Sequence, residues 1–342
     1  MKHLDVTPGR VGRASVRAIA AEAGVSIATV SRVLSGGPNV SEHTRELVHR
    51  AVERLGSRPP ARPRRAQAPV FVRCPYLLTD YFGLIVSSIA ETLELHDRQL
   101  VLNAGEPAAR HRVLADLPGR AGISGAILIL PPESEEEIVG LRGRGLPFVV
   151  VDPRTPLPGD IVAVSAAHFT GARRLTAHLV EWGHRRIGVI GGPDEWMASD
   201  ARLAGHAAAL AEVGVLAPAS LRRSVVPTTA AGYRAAGELL DAPDRPTALV
   251  GFNDKIAVGA LRAAAERGLR VPQDLSVAGF DDIELAVATR PMLTTVRQPL
   301  AEMGRMAVTL LVRLQQRHRL DALHIDLATE LVIRDSTGPA PR

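Results

Sequence analysis

At 342 residues the chain is long for one domain and comfortable for two or three; 46% hydrophobic with 23% charged residues excludes a disordered or fibrous protein. The net charge of +5 is unevenly placed: residues 1–66 hold 12 Lys+Arg against 5 Asp+Glu, a net of +7, and the other 276 hold 29 against 31, a net of −2. A basic module on a near-neutral body points to a module that meets a polyanion and a body that does not. The longest apolar runs, 126–132 and 147–151, fall far short of the roughly 20 residues of a bilayer crossing, so no membrane partner is expected. Met-Lys-His-Leu-Asp leads into no apolar stretch of a secretory signal, and the single cysteine, Cys74, excludes an internal disulfide; the expectation is a cytoplasmic chain.

In chain order, the spacing predicts three short helices within 16–55. Val16, Ile19, Ala20 and Ala23 recur at helical spacing and Gly24 interrupts them. Ser26 is an N-cap candidate for a second helix through Val30, Val33 and Leu34, and Ser41 for a third with Leu47, Val48, Ala51, Val52 and Leu55 on one face. Helix, glycine-containing turn, helix is the helix-turn-helix arrangement, whose second helix enters the major groove of double-stranded DNA.

Ala-Gly-Val-Ser-Ile-Ala-Thr-Val-Ser-Arg-Val-Leu (23–34), Val-Ser (40–41), Thr-Arg (44–45) and Ala-Val-Glu-Arg-Leu-Gly (51–56) closely resemble the DNA-binding headpiece of the lactose-repressor (LacI/GalR) family. By position, the resemblance implies that Ile27 and Ala28 form the variable base-reading pair and that Arg32 reaches a base. The chemistry agrees: Arg32 can offer a bidentate fork to guanine, whereas Ile27 and Ala28 can only contact a thymine methyl. Ser26, Thr29, Ser31, Asn39 and Thr44 are short polar groups suited to phosphate oxygens or to helix capping.

The stretch 56–69 holds Pro59, Pro60, Pro63 and Pro69 among Arg58, Arg62, Arg64 and Arg65, and reads as a stiff basic linker. The family places a minor-groove hinge helix here. This sequence departs from it, with Pro60 and Pro63 inside the span and Ala66 in place of the wedge leucine, while Arg62 and Arg64 remain candidates for phosphate or a narrow minor groove.

From Val70 onward β-rich runs (70–74, 99–103, 125–130, 147–151, 161–164, 186–190, 222–226, 247–252, 275–280, 293–296 and a pair near 325–333) alternate with helical stretches, which means parallel sheets covered on both faces. His-Leu-Val-Glu-Trp-Gly-His-Arg-Arg-Ile (178–187), Asp-Ala-Arg-Leu-Ala-Gly (200–205), Phe-Asn-Asp-Lys-Ile-Ala-Val-Gly-Ala (252–260), Val-Pro-Gln-Asp-Leu-Ser-Val-Ala-Gly-Phe-Asp-Asp (271–282) and Pro-Met-Leu-Thr-Thr-Val-Arg-Gln-Pro (291–299) again resemble the same family. The implied fold is α/β: a small all-α helix-turn-helix headpiece (14–58), a hinge (59–69) and a body like the periplasmic sugar-binding proteins (70–334), followed by a tail (335–342). Its two doubly wound parallel-sheet subdomains would be an N-subdomain of 70–164 and 296–323 and a C-subdomain of 165–292 and 324–334, crossed by the chain three times.

In open α/β sheets ligands sit beyond the carboxyl ends of strands. Asp152, Asn253, Asp254 and Asp281 fall there, with Arg202 early in a helix; the resemblance makes Arg202, Asn253 and Asp281 effector contacts and Asp152 a weaker one. Carboxylate, amide and guanidinium together satisfy sugar hydroxyls in both donor and acceptor directions. Of only 11 aromatics, Tyr76, Tyr81, Phe82, Trp196, Phe252 and Phe280 lie at or just beyond strand ends, where rings can stack on a sugar; Tyr81, Phe82 and Trp196 are assigned to the site. Ala167-His168 stands where many family members carry Asp-Asn, so His168 is expected as a surface or cap residue, and Glu133 with Glu135–Glu137 as a solvated helix start.

No catalytic constellation emerges. Gly191-Gly192-Pro193 lacks the spacing of a dinucleotide turn, the only lysines are Lys2 and Lys255, and the eleven histidines have no metal-ligand spacing, so neither cofactor nor metal is expected. The expected function is a DNA-binding regulator, a repressor acting as a homodimer on a pseudo-palindromic operator, with a saccharide effector bridging the two subdomains. The alternatives are a transport-associated solute-binding protein, which would need no basic headpiece, and a regulator responding to a purine or phosphorylated metabolite.

Overall fold

The computed structural model describes residues 15–34, 40–55, 68–105, 113–119 and 122–341. Asn39 and the linker residues Arg62 and Arg64 lie outside them, as does the question of a hinge helix. The chain forms two compact units, 1–67 and 68–342. No helix among the described residues is long and apolar enough to cross a membrane.

In the first unit, α1 (Val16–Ala23), α2 (Ile27–Leu34) and α3 (Glu42–Arg54) each begin on a serine. Ser15, Ser26 and Ser41 accept from the backbone N–H three residues on, at 3.2, 3.1 and 3.3 Å. Gly24 ends α1 with φ of 64°, a left-handed conformation that costs glycine nothing. Ile19, Val30, Val33, Val48 and Val52 close a small core between the three helices. Each helix is too short to persist alone, so this shared core holds the unit together.

The second unit contains two parallel sheets. The larger joins β1 (Val70–Cys74), β2 (Leu100–Ala104), β3 (Gly125–Ile129), β4 (Phe148–Val151), β5 (Ala163–Ala166) and β11 (His324–Leu327) in the order β11-β5-β4-β3-β1-β2. Its central strands, such as Gly-Ala-Ile-Leu-Ile and Phe-Val-Val-Val, are apolar throughout because both faces are covered. One face packs Val72, Ile127 and Val149 against Ile89 of helix Asp80–Leu95 and Met303 and Leu311 of helix Leu300–Gln315. The other packs Phe71, Leu128 and Val150 against Leu114, Ile138 and Leu141. The smaller sheet runs β7 (Arg222–Ser224), β6 (Ile187–Gly191), β8 (Ala248–Gly251), β9 (Ser276–Ala278). A short antiparallel pair, β10 (Thr295–Arg297) with β12 (Glu330–Val332), lies where the chain passes between the sheets.

Three expectations are corrected. Residues 324–327 belong to the N-subdomain, because β11 pairs in parallel with β5, and β5 itself extends to Ala166; only from β12 onward does the chain rejoin the C-subdomain. Residues 335–340 are no loose tail: Val277 N–H donates to the Ser336 carbonyl at 2.9 Å, the His178 ring bonds Thr337 Oγ1 at 3.0 Å, and Ser336 is fully buried. Glu133 is buried in an ion pair with Arg73, which also donates to Asn103 Oδ1 at 2.8 Å, while Glu135–Glu137 do open a helix, behind a Ser134 capping box.

Gly205 explains how one functional side chain is placed. A Cβ there would stand 2.2 Å from the Phe169 carbonyl oxygen, so helix Met197–Ala211 reaches backbone contact with helix His168–Glu181. One turn before Gly205, Arg202 is thereby set against His168.

Candidate functional site

Between the carboxyl ends of the two sheets lies a cavity of about 490 Å³, a size ordinary for small-molecule sites. Tyr81, Phe82, Asp152, Trp196, Arg202, Asn253 and Asp281 all line it, and so do Tyr76 and Phe252. Phe280 does not. It is buried beneath Arg202, whose guanidinium carbon lies 3.8 Å from the Phe280 centroid and 4.3 Å from that of Phe252. The guanidinium thus lies against both rings.

A chain of hydrogen bonds runs across the floor from one subdomain to the other. Tyr81 Oη donates to Asp152 Oδ2 at 2.8 Å, and His168 Nε2 meets Asp152 Oδ1 at 2.7 Å. Arg202 Nε and Nη2 approach His168 Nδ1 at 3.4 and 3.2 Å, and Arg202 Nη1 donates to the Phe252 carbonyl. Asp281 Oδ1 lies 4.0 Å from Arg202 Nη2 and accepts from Gln298 Nε2 at 2.6 Å. Guanidinium nitrogens only donate, so Nδ1 of His168 accepts and Nε2–H donates to Asp152. His168 is therefore a buried link in the site, which corrects its expected place on the surface.

The electrostatics follow from burial. It works to raise the Asp152 carboxyl, while the hydrogen bonds from His168 and Tyr81 and the charge of Arg202 work to lower it. Burial lifts Asp281 to about 7 against the pull of Arg202 and Gln298. Burial and the neighbouring Asp281 also push Asp254 well above the carboxylate range; fully enclosed and accepting from Thr295 Oγ1 and Ile283 N–H, it is structural and outside the cavity lining. Asp152 and Asp281 both hold positive φ, 53° and 116°, conformations that cost free energy and concentrate at functional sites.

Asn253 caps helix Asp254–Glu266, its Oδ1 accepting from Ile256 N–H at 3.0 Å, which leaves its amide nitrogen for a ligand. Phe82 stacks on Tyr76 with centroids 4.6 Å apart and meets Tyr81 edge-on at 5.0 Å; Trp196 meets Phe252 edge-on from the other subdomain. The walls touch at the rim through Lys255 Nζ to Thr79 Oγ1 at 3.0 Å, Arg154 to Glu195 at 3.3 Å and Met197 N–H to the Arg154 carbonyl at 2.9 Å. Sequence reading missed Arg154, Glu195, Gln298 and the role of His168. For Gln298 the signal was available in its place just before Pro299, at a chain crossing.

In the headpiece, α2 buries Val30 and Val33 and leaves Ile27, Ala28 and Arg32 exposed, with Ser31 half-buried. Ser26 and Thr29 hydrogen-bond each other at 2.8 Å, and Ser41 and Thr44 do so at 2.7 Å, so all four hydroxyls take part in helix starts.

Two sequence families match the chain: "Bacterial regulatory proteins, lacI family" over residues 15–59 and "Periplasmic binding protein-like domain" over 176–337. The HTH-type transcriptional repressor CytR of Escherichia coli K12 is 33% identical, covering 96% of this chain and 97% of its own length. The HTH-type transcriptional regulator MalR of Streptomyces coelicolor is 35% identical, covering 94% and 96%. Among solved structures, the CelR–cellobiose complex superposes with a TM-score of 0.72 at 32% identity over 95% of this chain and all of that one. The lac repressor dimer bound to operator and the anti-inducer ONPF gives 0.73 at 27% identity over 96% and 100%.

Proposed function

Because the chain belongs to the LacI family of bacterial regulatory proteins and is a DNA-binding transcriptional regulator governed by a small molecule, we propose that it is a repressor whose effector is a neutral saccharide held between the two subdomains. The observation that carries this reading is the charge balance of the cavity. Its lining holds three basic groups, Arg154, Arg202 and Lys255, and three carboxyls, Asp152, Glu195 and Asp281. Each cation already has a protein partner: Glu195, His168 with the Phe252 carbonyl, and Thr79. A phosphorylated effector would leave its charge without a guanidinium fork. A polyhydroxyl ligand finds aromatic faces on both walls and acceptors and donors at Asp152, Asp281 and Asn253. The cellobiose bound by the CelR relative supports the same class.

On DNA, Arg32, Ile27 and Ala28 read base edges from α2, while Arg62, Arg64, Ser31 and Asn39 contact phosphates. The repressor acts as a homodimer on two related half-sites. In support, the larger sheet ends on β2, whose Val101 and Leu102 are exposed, and Leu84 and Leu95 of the helix that precedes it in the chain are exposed as well. Edge strands and apolar patches of this kind are covered in stable proteins.

Calorimetry of the full chain with cellobiose, maltose, adenosine and glucose 6-phosphate, alongside mobility shift on DNA flanking the gene, tests the assignment. A neutral sugar should bind and change DNA affinity. Binding of adenosine or the phosphate ester and of no neutral sugar overturns it.

A further inference from the structure

We infer that His168 is a positioning residue of the effector site, whose single imidazole orients Arg202 of one subdomain and Asp152 of the other at the same time. The inference rests on the reading of the cleft as the effector site and goes beyond it, since His168 does not line the large cavity. It faces a smaller one of about 330 Å³ behind the floor, with Phe169, Met197 and Asp326, and acts on a ligand only through its two neighbours.

Three observations carry it. First, both ring nitrogens are engaged, with opposite polarity: Nε2–H donates to Asp152 at 2.7 Å and Nδ1 accepts from Arg202 at 3.2 and 3.4 Å. No side chain with one polarity satisfies both neighbours; a carboxylate would repel Asp152 and an ammonium would repel Arg202. Second, Arg202 depends on that acceptor. Its guanidinium lies against Phe252 and Phe280 and gives Nη1 to the Phe252 carbonyl, and with Asp281 at 4.0 Å its Nε and Nη2 are oriented by the imidazole. Third, His168 immediately follows Ala167, where the chain first passes from β5 to the C-subdomain. A ring at the crossing ties the walls without barring their movement. The charged and titratable groups around it are Asp152 and Tyr81 from one subdomain, Arg202 and Asp281 from the other, and Asp326 from β11.

Glutamine reproduces the pattern, with an N–H donor and an oxygen acceptor at a spacing similar to the two ring nitrogens; leucine fills the volume and supplies neither. The test compares the full-length wild type with His168→Gln and His168→Leu. Calorimetry with cellobiose and maltose should find His168→Gln within about threefold of wild type and His168→Leu weaker by tenfold or more, with melting temperatures showing both variants folded. A His168→Leu chain that binds as wild type, or a folded His168→Gln chain that binds no better than His168→Leu, overturns the inference. Long-range ¹H–¹⁵N spectra of the histidine-labelled wild type, assigned by difference from His168→Gln, give a readout that needs no ligand. A ring protonated on Nε2 alone is expected, and a proton on Nδ1 refutes the role. If neither sugar binds wild type, the saccharide assignment fails while the tautomer still decides the place of His168.

Discussion

Arg202→Ala separates the effector response from the rest of the protein. The substitution deletes the bonds to His168 Nδ1 and the Phe252 carbonyl, the contact with Asp281 at 4.0 Å, and the stacking between Phe252 and Phe280. Removing one member of a buried charged network costs about 3–5 kcal/mol, because the partner is left enclosed without compensation. Here Asp281 limits the loss: burial already lifts its carboxyl to about 7, and without Arg202 it can take a proton at neutral pH rather than remain a stranded anion. The expected destabilisation is therefore toward the lower end, about 3 kcal/mol. Urea unfolding followed by the fluorescence of Trp182 and Trp196 measures it. The headpiece is a unit of its own, so fluorescence anisotropy on labelled operator DNA should find ligand-free affinity within about twofold of wild type, while saccharide up to a hundredfold above the wild-type midpoint produces no change. A variant that still responds at the wild-type sugar concentration refutes the assignment of Arg202. One that loses less than about 1 kcal/mol refutes the energetic reasoning.

Four further outcomes are expected. Burial pulls His206 from 6.5 to about 4, so the folded chain resists a proton that the unfolded chain accepts: its contribution is complete above about pH 6.5 and is lost as pH falls toward 4, about 2 kcal/mol of it by pH 5. His206→Leu should remove that much of the difference in urea stability between pH 7.5 and pH 5, and an unchanged difference counts against it. Arg32→Ala should cost about 1–3 kcal/mol on specific DNA and relax preference at one base pair; equal losses on random DNA in a competition mobility shift would show that Arg32 only positions. If the proposed homodimer forms through this face, Leu95→Glu combined with Leu102→Lys should give a monomer in light scattering at micromolar concentration where the wild type gives a dimer, and a variant dimer that persists places the interface elsewhere. Gly205→Ala should destabilise by about 1–3 kcal/mol and weaken sugar binding together, both read in one thermal-shift titration, because its methyl would push the Arg202 helix off Phe169; wild-type behaviour would mean the close approach is dispensable.

The sequence made the repeating units legible. Apolar runs such as 125–130 and 147–151 carry the parallel strands, serine caps mark the headpiece helices, and of the polar residues beyond strand ends Asp152, Asn253 and Asp281, though not Asp254, line one cavity. What it concealed depends on pairings that local pattern does not encode. Strand β11 is a half-exposed edge strand whose neighbour, β5, lies some 160 residues earlier, so nothing nearby in the chain assigns it to a sheet. His168 carries no surrounding signal either, since its partners stand 16 and 34 residues away and become its neighbours only in the fold. Glu133 reads as one more acid in an acidic stretch until Arg73, sixty residues earlier, is seen to need it.

The crossings also explain how a ligand in the cavity can govern the angle between the subdomains. The chain passes between the sheets three times, and each passage carries a buried polar residue: His168 after β5, Gln298 after β10 and Thr329 after β11. His168 bonds Asp152 and Arg202, Gln298 bonds Asp281, and the Thr329 carbonyl accepts from Arg174 of the helix that begins at His168. The residues assigned to the effector are thus one hydrogen bond from two of the three pivots. On the proposed reading, an effector that favours one placement of Arg202 and Asp281 would act directly on the crossing segments, and its differential affinity for two arrangements of the subdomains would set the size of the response. No relay through the cores is required, and those cores, made of closely packed valine, isoleucine, leucine and alanine, can move as rigid bodies.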